Sequence, residues 1–427
     1  MAVLRAFRAV RPRAELAERV AALPYDVYTS EEARREVSGR PLSFLNIDRP
    51  ETQLPPGAGI YSDDAYEKAR ELFQKERREG VFLQEERPVL YLYEETVVSG
   101  ELFPLMPFHS QTGIVGLSSV DDYLFGRIRR HENTRREKEE DRVRHIRACK
   151  AQTGPIFLCF RESEELRLLF SEWKKRSPLF DFVSEDGIRH RVYRLDREEE
   201  IRAAEEAFSP IERSYIADGH HRAASAVRVS EEMRREQPDY SGREEFNFFL
   251  SVLFPEEELR ILPYNRLLRD LSGMDEAAFL RALSPFFSLE RSEKGAVLPA
   301  SRGDFGLFLP GGWYRLSARE ELRGKDPVHS LDVSFLQDFV FDKILGIKDP
   351  GVSKRLRFVG GIRGAGELEE AVKSGEMATA FTLFPTSMEE LLCVADAELL
   401  MPPKSTWFEP KLRSGLFIHD ISGKEEA

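Results

Sequence analysis

The sequence predicts a mixed α/β protein of the α+β kind, and three observations carry that expectation. Apolar residues recur at helical spacing in some stretches and alternate singly in others, and the two patterns interleave along the whole chain. Strand-like runs are closed by Ser-Gly, Asp-Gly and Gly-Gly turns. The chain has 427 residues, 41% of them hydrophobic, enough for two or three packed units rather than one small core.

In chain order, "VLRAFRAVRP" alternates like a strand and "AELAERVAAL" has the spacing of a short amphipathic helix. In "PYDVYTSEEARREV" Thr29 stands three residues before Glu32, a capping-box spacing that predicts a helix start. "DDAYEKARELFQKERREG" reads as a helix ending at Gly80. "PVLYLYEETVV", Ser99-Gly100 and "ELFPLMPF" read as a hairpin, and "TGIVGLSSVDD" as a further strand. The charged stretch "GRIRRHENTRREKEEDRVRHIRACKAQTG" reads as a loop entering a helix. "GPIFLCF" is a buried strand, "SEELRLLFSEWKK" a helix, and "FDFVSEDGIRHRVYRL" a hairpin turning at Asp186-Gly187, where glycine supplies positive φ. The helix "REEEIRAAEEAF" precedes a strand-to-helix junction at "SYIADGHHRAASAV".

After "NFFLSVLFP" and "LRILPYNRLL", both strand-like, the pattern restarts with a helix, a hairpin at Gly311-Gly312, the helix "VSFLQDFVFDKIL" and a helix–strand–helix unit. Two units are therefore expected, 1–272 and 273–427.

Composition narrows the function. A net charge of −12 argues against a nucleic-acid-coating role, which needs a basic footprint. Three cysteines (Cys149, Cys159 and Cys393) give neither a disulfide framework nor zinc-finger spacing. No apolar run approaches a membrane span, and the N-terminus lacks a signal-peptide core. A cytoplasmic protein with no membrane and no nucleic-acid partner is expected; the sequence leaves its oligomeric state open.

The junction at Asp218 is the richest signal. A strand that runs through Asp218-Gly219 into a helix leaves first-turn N–H groups free, and together with the helix dipole they favour an anion. Gly219 lets an anion approach the backbone, and His220, His221 and Arg222 add donors. Ala223, Ala224 and Ala226 allow close packing beneath. A plain cap by Asp218 competes with this phosphate-cradle reading, as does a metal. Adjacent helical residues point about 100° apart, so one ion does not easily take both histidines. The dipole supplies about 1 kcal/mol, whereas catalysis requires about 8 kcal/mol or more, so other groups must converge if this is an active site.

Two further segments offer such groups. "GRIRRHENT" holds Arg130, His131, Glu132 and Thr134, though charge runs are commonly solvated helix faces. "MPPKSTWFEPKLRSGL" offers Lys404, Ser405 and Thr406 to an anion, with Trp407 and Phe408 either stacking on a base or packing inside. Asp26 in "LPYDVYTSEE" is a cap, a magnesium ligand or a base.

Taken together and in order, "PYDV", "RHENT", "AQTGPIF", "ADGHHR" and "MPPKSTWFEPKLRSGL" resemble the bacterial and archaeal family catalogued as domain of unknown function 1015, over nearly the whole chain. The chain departs from that pattern at Ala223, where the family often has an aromatic, and in "NIDRPE", where it often reads His-Arg-Pro. The Asp-Gly-His-His-Arg turn is also similar to the phosphate-binding turn of the ParB/sulfiredoxin-like fold, a group that includes a kinase for free L-serine. That resemblance implies a nucleotide-binding core with large insertions and a second α+β C-terminal unit. It implies that Asp218, Gly219, His220, His221 and Arg222 hold the phosphates of ATP or ADP with Mg2+, Asp218 serving as a metal ligand. Arg130, Thr134, Lys404, Ser405 and Thr406 would add contacts, and Glu132, Asp26 and His131 are the catalytic candidates. The expected function is an ATP- or ADP-dependent phosphotransferase acting on a small hydroxyl compound such as free L-serine. The alternatives are a nucleotide-binding regulatory protein and a phosphoester hydrolase; a sulfiredoxin-type reductase is disfavoured because the turn has no cysteine.

Overall fold

The computed structural model describes residues 2–55, 57–100, 106 and 108–423. Its architecture is mixed α/β, built on two large sheets. The first is eight-stranded, in the order Ile128–Arg129, Ser214–Asp218, Ile156–Phe160, Phe248–Pro255, Ser110–Ser119, Leu90–Val97, Ile188–Leu195 and Phe180–Val183. Two neighbouring pairs are parallel, Ser214–Asp218 with Ile128–Arg129 and Phe248–Pro255 with Ile156–Phe160; the others are antiparallel. The second sheet is antiparallel throughout: Phe287–Arg291, Gly312–Ala318, Asp304–Leu309, Thr379–Leu383, Tyr264–Leu268 and Leu356–Gly360.

The first sheet is covered on both faces, which is why its strands read as near-continuous apolar runs. Leu90 and Leu92 pack on one face with Leu158, Phe208 and Ala223. Tyr91 and Tyr93 point to the other, into a core shared with Phe305, Phe335 and Phe381 of the second sheet region. The end of the chain closes this second face. Phe417 lies 5.1 Å from Tyr91 between ring centroids, and Phe408 lies 5.6 Å from Phe157. Ile418 bridges Val10, Ser414 bridges Ala22, and His419–Asp420 pairs with Ala151–Gln152. The "MPPKSTWFEPKLRSGL" segment is thereby laced over the first sheet.

Local signals hold where the chemistry is short-range. Thr29 and Glu32 form the reciprocal capping box of the helix Ser30–Glu36, and the Asp186-Gly187 hairpin turns with Gly187 at φ 76°. The first expected helix is reduced to the short turns Ala14–Leu16 and Ala17–Val20. Leu90–Val97 pairs with Ser110–Ser119; most of the expected return arm, 101–107, lies outside the described residues. The helix expected from Val333 runs over Asp332–Leu336 and continues as a π-helical turn, Gln337–Asp342. Among the described residues no helix is long and apolar enough to cross a membrane.

Glu95 is a buried charge candidate with a testable consequence. Its carboxyl accepts from the Gln111 side-chain amide at 2.8 Å, and burial pushes its pKa up to about 7. An unfolded glutamate titrates near about 4.3, so across the window between, the folded state holds a proton the unfolded chain has lost. The Glu95 contribution to stability is therefore fully present below about pH 4 and is lost as pH rises through 7, by on the order of 3–4 kcal/mol. Glu95→Gln is expected to flatten that limb of a urea-melt pH series; an unchanged slope would assign the dependence to other groups.

Candidate functional site

Two parallel strands deliver the candidate residues to one sheet edge. Ile128–Arg129 runs beside Ser214–Asp218 in the same direction, so the chain leaves both at the same end, the usual place for ligand sites in such sheets. The first strand continues into His131 and Glu132, and the second into Gly219 and the helix His220–Glu236. Gly219 sits at φ 93°, ψ 29°, a left-handed conformation that a side chain would strain. Its N–H donates to Asp218 Oδ1 at 2.8 Å. Ala223 and Ser225 are fully buried beneath the helix start, as close packing on the sheet requires.

The histidines differ from the expected phosphate donors. His221 Nε2 accepts the backbone N–H of Arg135 at 3.0 Å, and His220 Nε2 lies 3.4 Å from the backbone N of His131. Both rings therefore present lone pairs and latch the "RHENT" loop onto the helix. Burial holds His131 and His221 down at about 4 and His220 well below its ordinary value, so all three are neutral near pH 7.

Arg222 also departs from expectation. Its guanidinium lies under the turn, donates to the Pro155 carbonyl, and stands 3.8 Å from Asp218. There it lines a cavity of about 30 Å³ with Asp48, Arg142 and Thr153, room for about one water. It supports the turn from below instead of forking over it.

Lysines carry much of the positive charge at the site. Lys411, 9% exposed, donates to Asp218 Oδ2 at 3.1 Å and lies 4.6 Å from the Trp407 ring centre. Burial opposes ionisation of Asp218, but Lys411, Arg222 and Lys404 outweigh it and hold the carboxyl well below the usual range. With Asp218 engaged in this way, its expected role as a magnesium ligand is not matched by the geometry. Lys404 adopts φ 62°, and its carbonyl accepts from Arg266. Burial works against its charge, but Tyr264, Glu132, Asp26 and Asp218 more than offset that and hold it protonated. Burial lowers the Lys138 pKa, with Asp26 opposing.

Of the expected residues, Thr406 brings its hydroxyl to 3.3 Å from His131 Nε2, and the Met401 N–H donates to the His131 carbonyl. Glu132 is half-buried, and burial raises its pKa against the pull of Lys404. Asp26 is exposed, within electrostatic reach of His221, Lys138, Lys404 and Lys411; among the described residues no side chain donates to its carboxylate. Arg130 is exposed over Tyr123 and its field reaches His220. Two residues turn elsewhere: Thr134 donates to Glu139, and Ser405 donates to the Pro402 carbonyl at 2.6 Å. Trp407 packs edge-on to Tyr264, and Phe408 joins the core.

Lys138 and Lys411 were not anticipated, although Lys411 lies inside the "FEPKLRSGL" run. Nothing local marks it as the partner of an aspartate 193 positions away. Lys411 also lines a cleft of about 570 Å³ with Tyr28, Arg35, Arg363, Trp407 and Glu409, a volume typical of small-molecule sites.

Fold and site together define a mixed α/β protein in which lysines and the carboxylates of Asp26 and Glu132 gather around the Asp218–Gly219 helix start. The chain belongs to the family described as protein of unknown function (DUF1015), whose model matches residues 4–334. No curated protein matches it. Among solved structures it is similar to a conserved hypothetical protein from Pyrococcus furiosus, at 13% identity and TM-score 0.36, over 71% of this chain and 94% of that one. A free serine kinase in complex with AMP aligns at 11% identity and TM-score 0.35, over 71% and 91%. SbnI with a C-terminal truncation, from Staphylococcus aureus, aligns at 11% and 0.37, over 73% and 90%.

Proposed function

We propose that this protein binds the phosphates of a nucleotide at the Asp218–Arg222 turn and transfers a phosphoryl group to a small hydroxyl compound, free L-serine being the first to test. The observation that carries the reading is convergence. Four segments far apart in sequence bring Lys138, Lys404 and Lys411, the helix start at His220 and the exposed carboxylate of Asp26 to one sheet edge. Phosphoryl transfer needs little more than this: donors and cations for the phosphate oxygens, and a carboxylate to accept the proton of the attacking hydroxyl.

In this reading the first-turn N–H groups and Lys404 hold the phosphates, with Mg2+ entering as the nucleotide's counter-ion. Asp26 takes the acceptor's proton. The cleft beside Lys411, Trp407 and Tyr28 holds the rest of one substrate.

Nucleotide binding is testable by thermal shift with ATP, ADP and CTP, each with Mg2+. A ligand at about 100 times its Kd adds about 2.7 kcal/mol to the folded state. Native protein is expected to melt several degrees higher with ADP or ATP, and Lys404→Gln to lose most of that rise. If no nucleotide moves the native midpoint, the proposal fails. Phosphate released to water without phosphorylated serine would replace transfer by hydrolysis.

A further inference from the structure

One cluster on this edge has a chemistry the phosphate cradle does not use. His131, Glu132 and His220 each place a ligand atom within 4.8 Å of the other two, and no other group of three or more potential metal ligands among the described residues does so. His131 and His220 are 1% and 7% exposed, their rings edge-to-face with centroids 4.5 Å apart. Buried polar ring atoms are costly unless something engages them, and His131 Nδ1 has no hydrogen-bond partner among the described residues.

The surroundings hold these groups in position. The His131 carbonyl is fixed by the Met401 N–H at 2.8 Å, and its ring by the Thr406 hydroxyl at 3.3 Å. His220 is fixed by the helix start, directly after the left-handed Gly219. Outer contacts of this kind orient ligands at metal centres.

We propose that His131, Glu132 and His220 bind a borderline divalent transition ion of the zinc, manganese or iron kind. Two nitrogens and one carboxylate favour such ions, because magnesium and calcium prefer all-oxygen sets. Three protein ligands leave at least one coordination position open for water or a substrate oxygen. The site is distinct from the magnesium that accompanies a nucleotide, and its existence does not depend on nucleotide binding.

The test is made on the full chain, stripped with a chelator and studied without nucleotide. Zn2+, Mn2+ and Co2+ are titrated by calorimetry, and the Co2+ form is read by visible absorption. One equivalent of Zn2+ or Co2+ is expected to bind at micromolar Kd or tighter, with cobalt d–d bands. Glu132→Gln, at a half-buried position outside the core, is expected to weaken binding at least tenfold and alter those bands. His131→Gln is expected to abolish them, with folding checked by circular dichroism. The proposal is overturned if native protein binds none of these ions below about 100 µM, or if Glu132→Gln binds as tightly as native. A positive metal titration with no nucleotide shift would retain this site and remove the kinase reading.

Discussion

Replacing Asp26 by asparagine is expected to slow phosphoryl transfer by about 10²–10⁴-fold, the usual contribution of a positioned general base, while nucleotide affinity stays within about threefold. The carboxylate is exposed and accepts from no side chain among the described residues, so its loss should leave the fold intact. Its field supports the charge on Lys138, Lys404 and Lys411. Removing that negative charge beside the proposed phosphate site should tighten nucleotide binding, and that sign separates a base from a phosphate ligand. The measurement is single-turnover transfer from labelled ATP or ADP to serine, with nucleotide Kd measured in parallel. An unchanged rate would move the proton acceptor elsewhere. A collapsed affinity would make Asp26 a structural support for the lysines.

Lys411→Met is expected to cost about 3 kcal/mol of stability, the lower end for breaking a buried ion pair by removing one partner. The lysine bonds Asp218 at 3.1 Å and also faces the buried Glu409. Without it, Asp218 keeps only Arg222 at 3.8 Å, and Glu409 loses its main counter-charge. Because Asp218 retains some solvent contact, the cost should stay below that of a fully enclosed pair. A urea melt should show a lower midpoint at unchanged slope. Adding Asp218→Asn should recover part of the loss, since it removes the stranded charge. A change below about 1 kcal/mol would mean that the ammonium is held for an incoming anion instead of for the fold.

Much of the site was visible along the chain because its signals are local. A strand ending in Asp218-Gly219, followed by a helix rich in small residues, dictates its own turn: only a residue tolerant of positive φ closes it, and small side chains seat the helix. The Thr29–Glu32 capping box and the Asp186-Gly187 hairpin were legible for the same reason. The chemical state of the turn was not. His220 and His221 read as added donors to a phosphate, yet burial keeps them neutral and their Nε2 atoms accept backbone N–H groups. Arg222 reads as a phosphate fork, yet the Pro155 carbonyl draws it beneath the turn.

By itself, then, the sequence determined the mixed α/β class and the helix start at His220, since each follows from interactions among residues a few positions apart. Which residues meet was decided by tertiary structure alone. The pairing of Ile128–Arg129 with Ser214–Asp218 sets His131 against His220, and the chain's return across the first sheet sets Lys411 on Asp218. Charge and protonation at this edge depend on desolvation and on partners 86 to 193 positions away, and no local pattern encodes either.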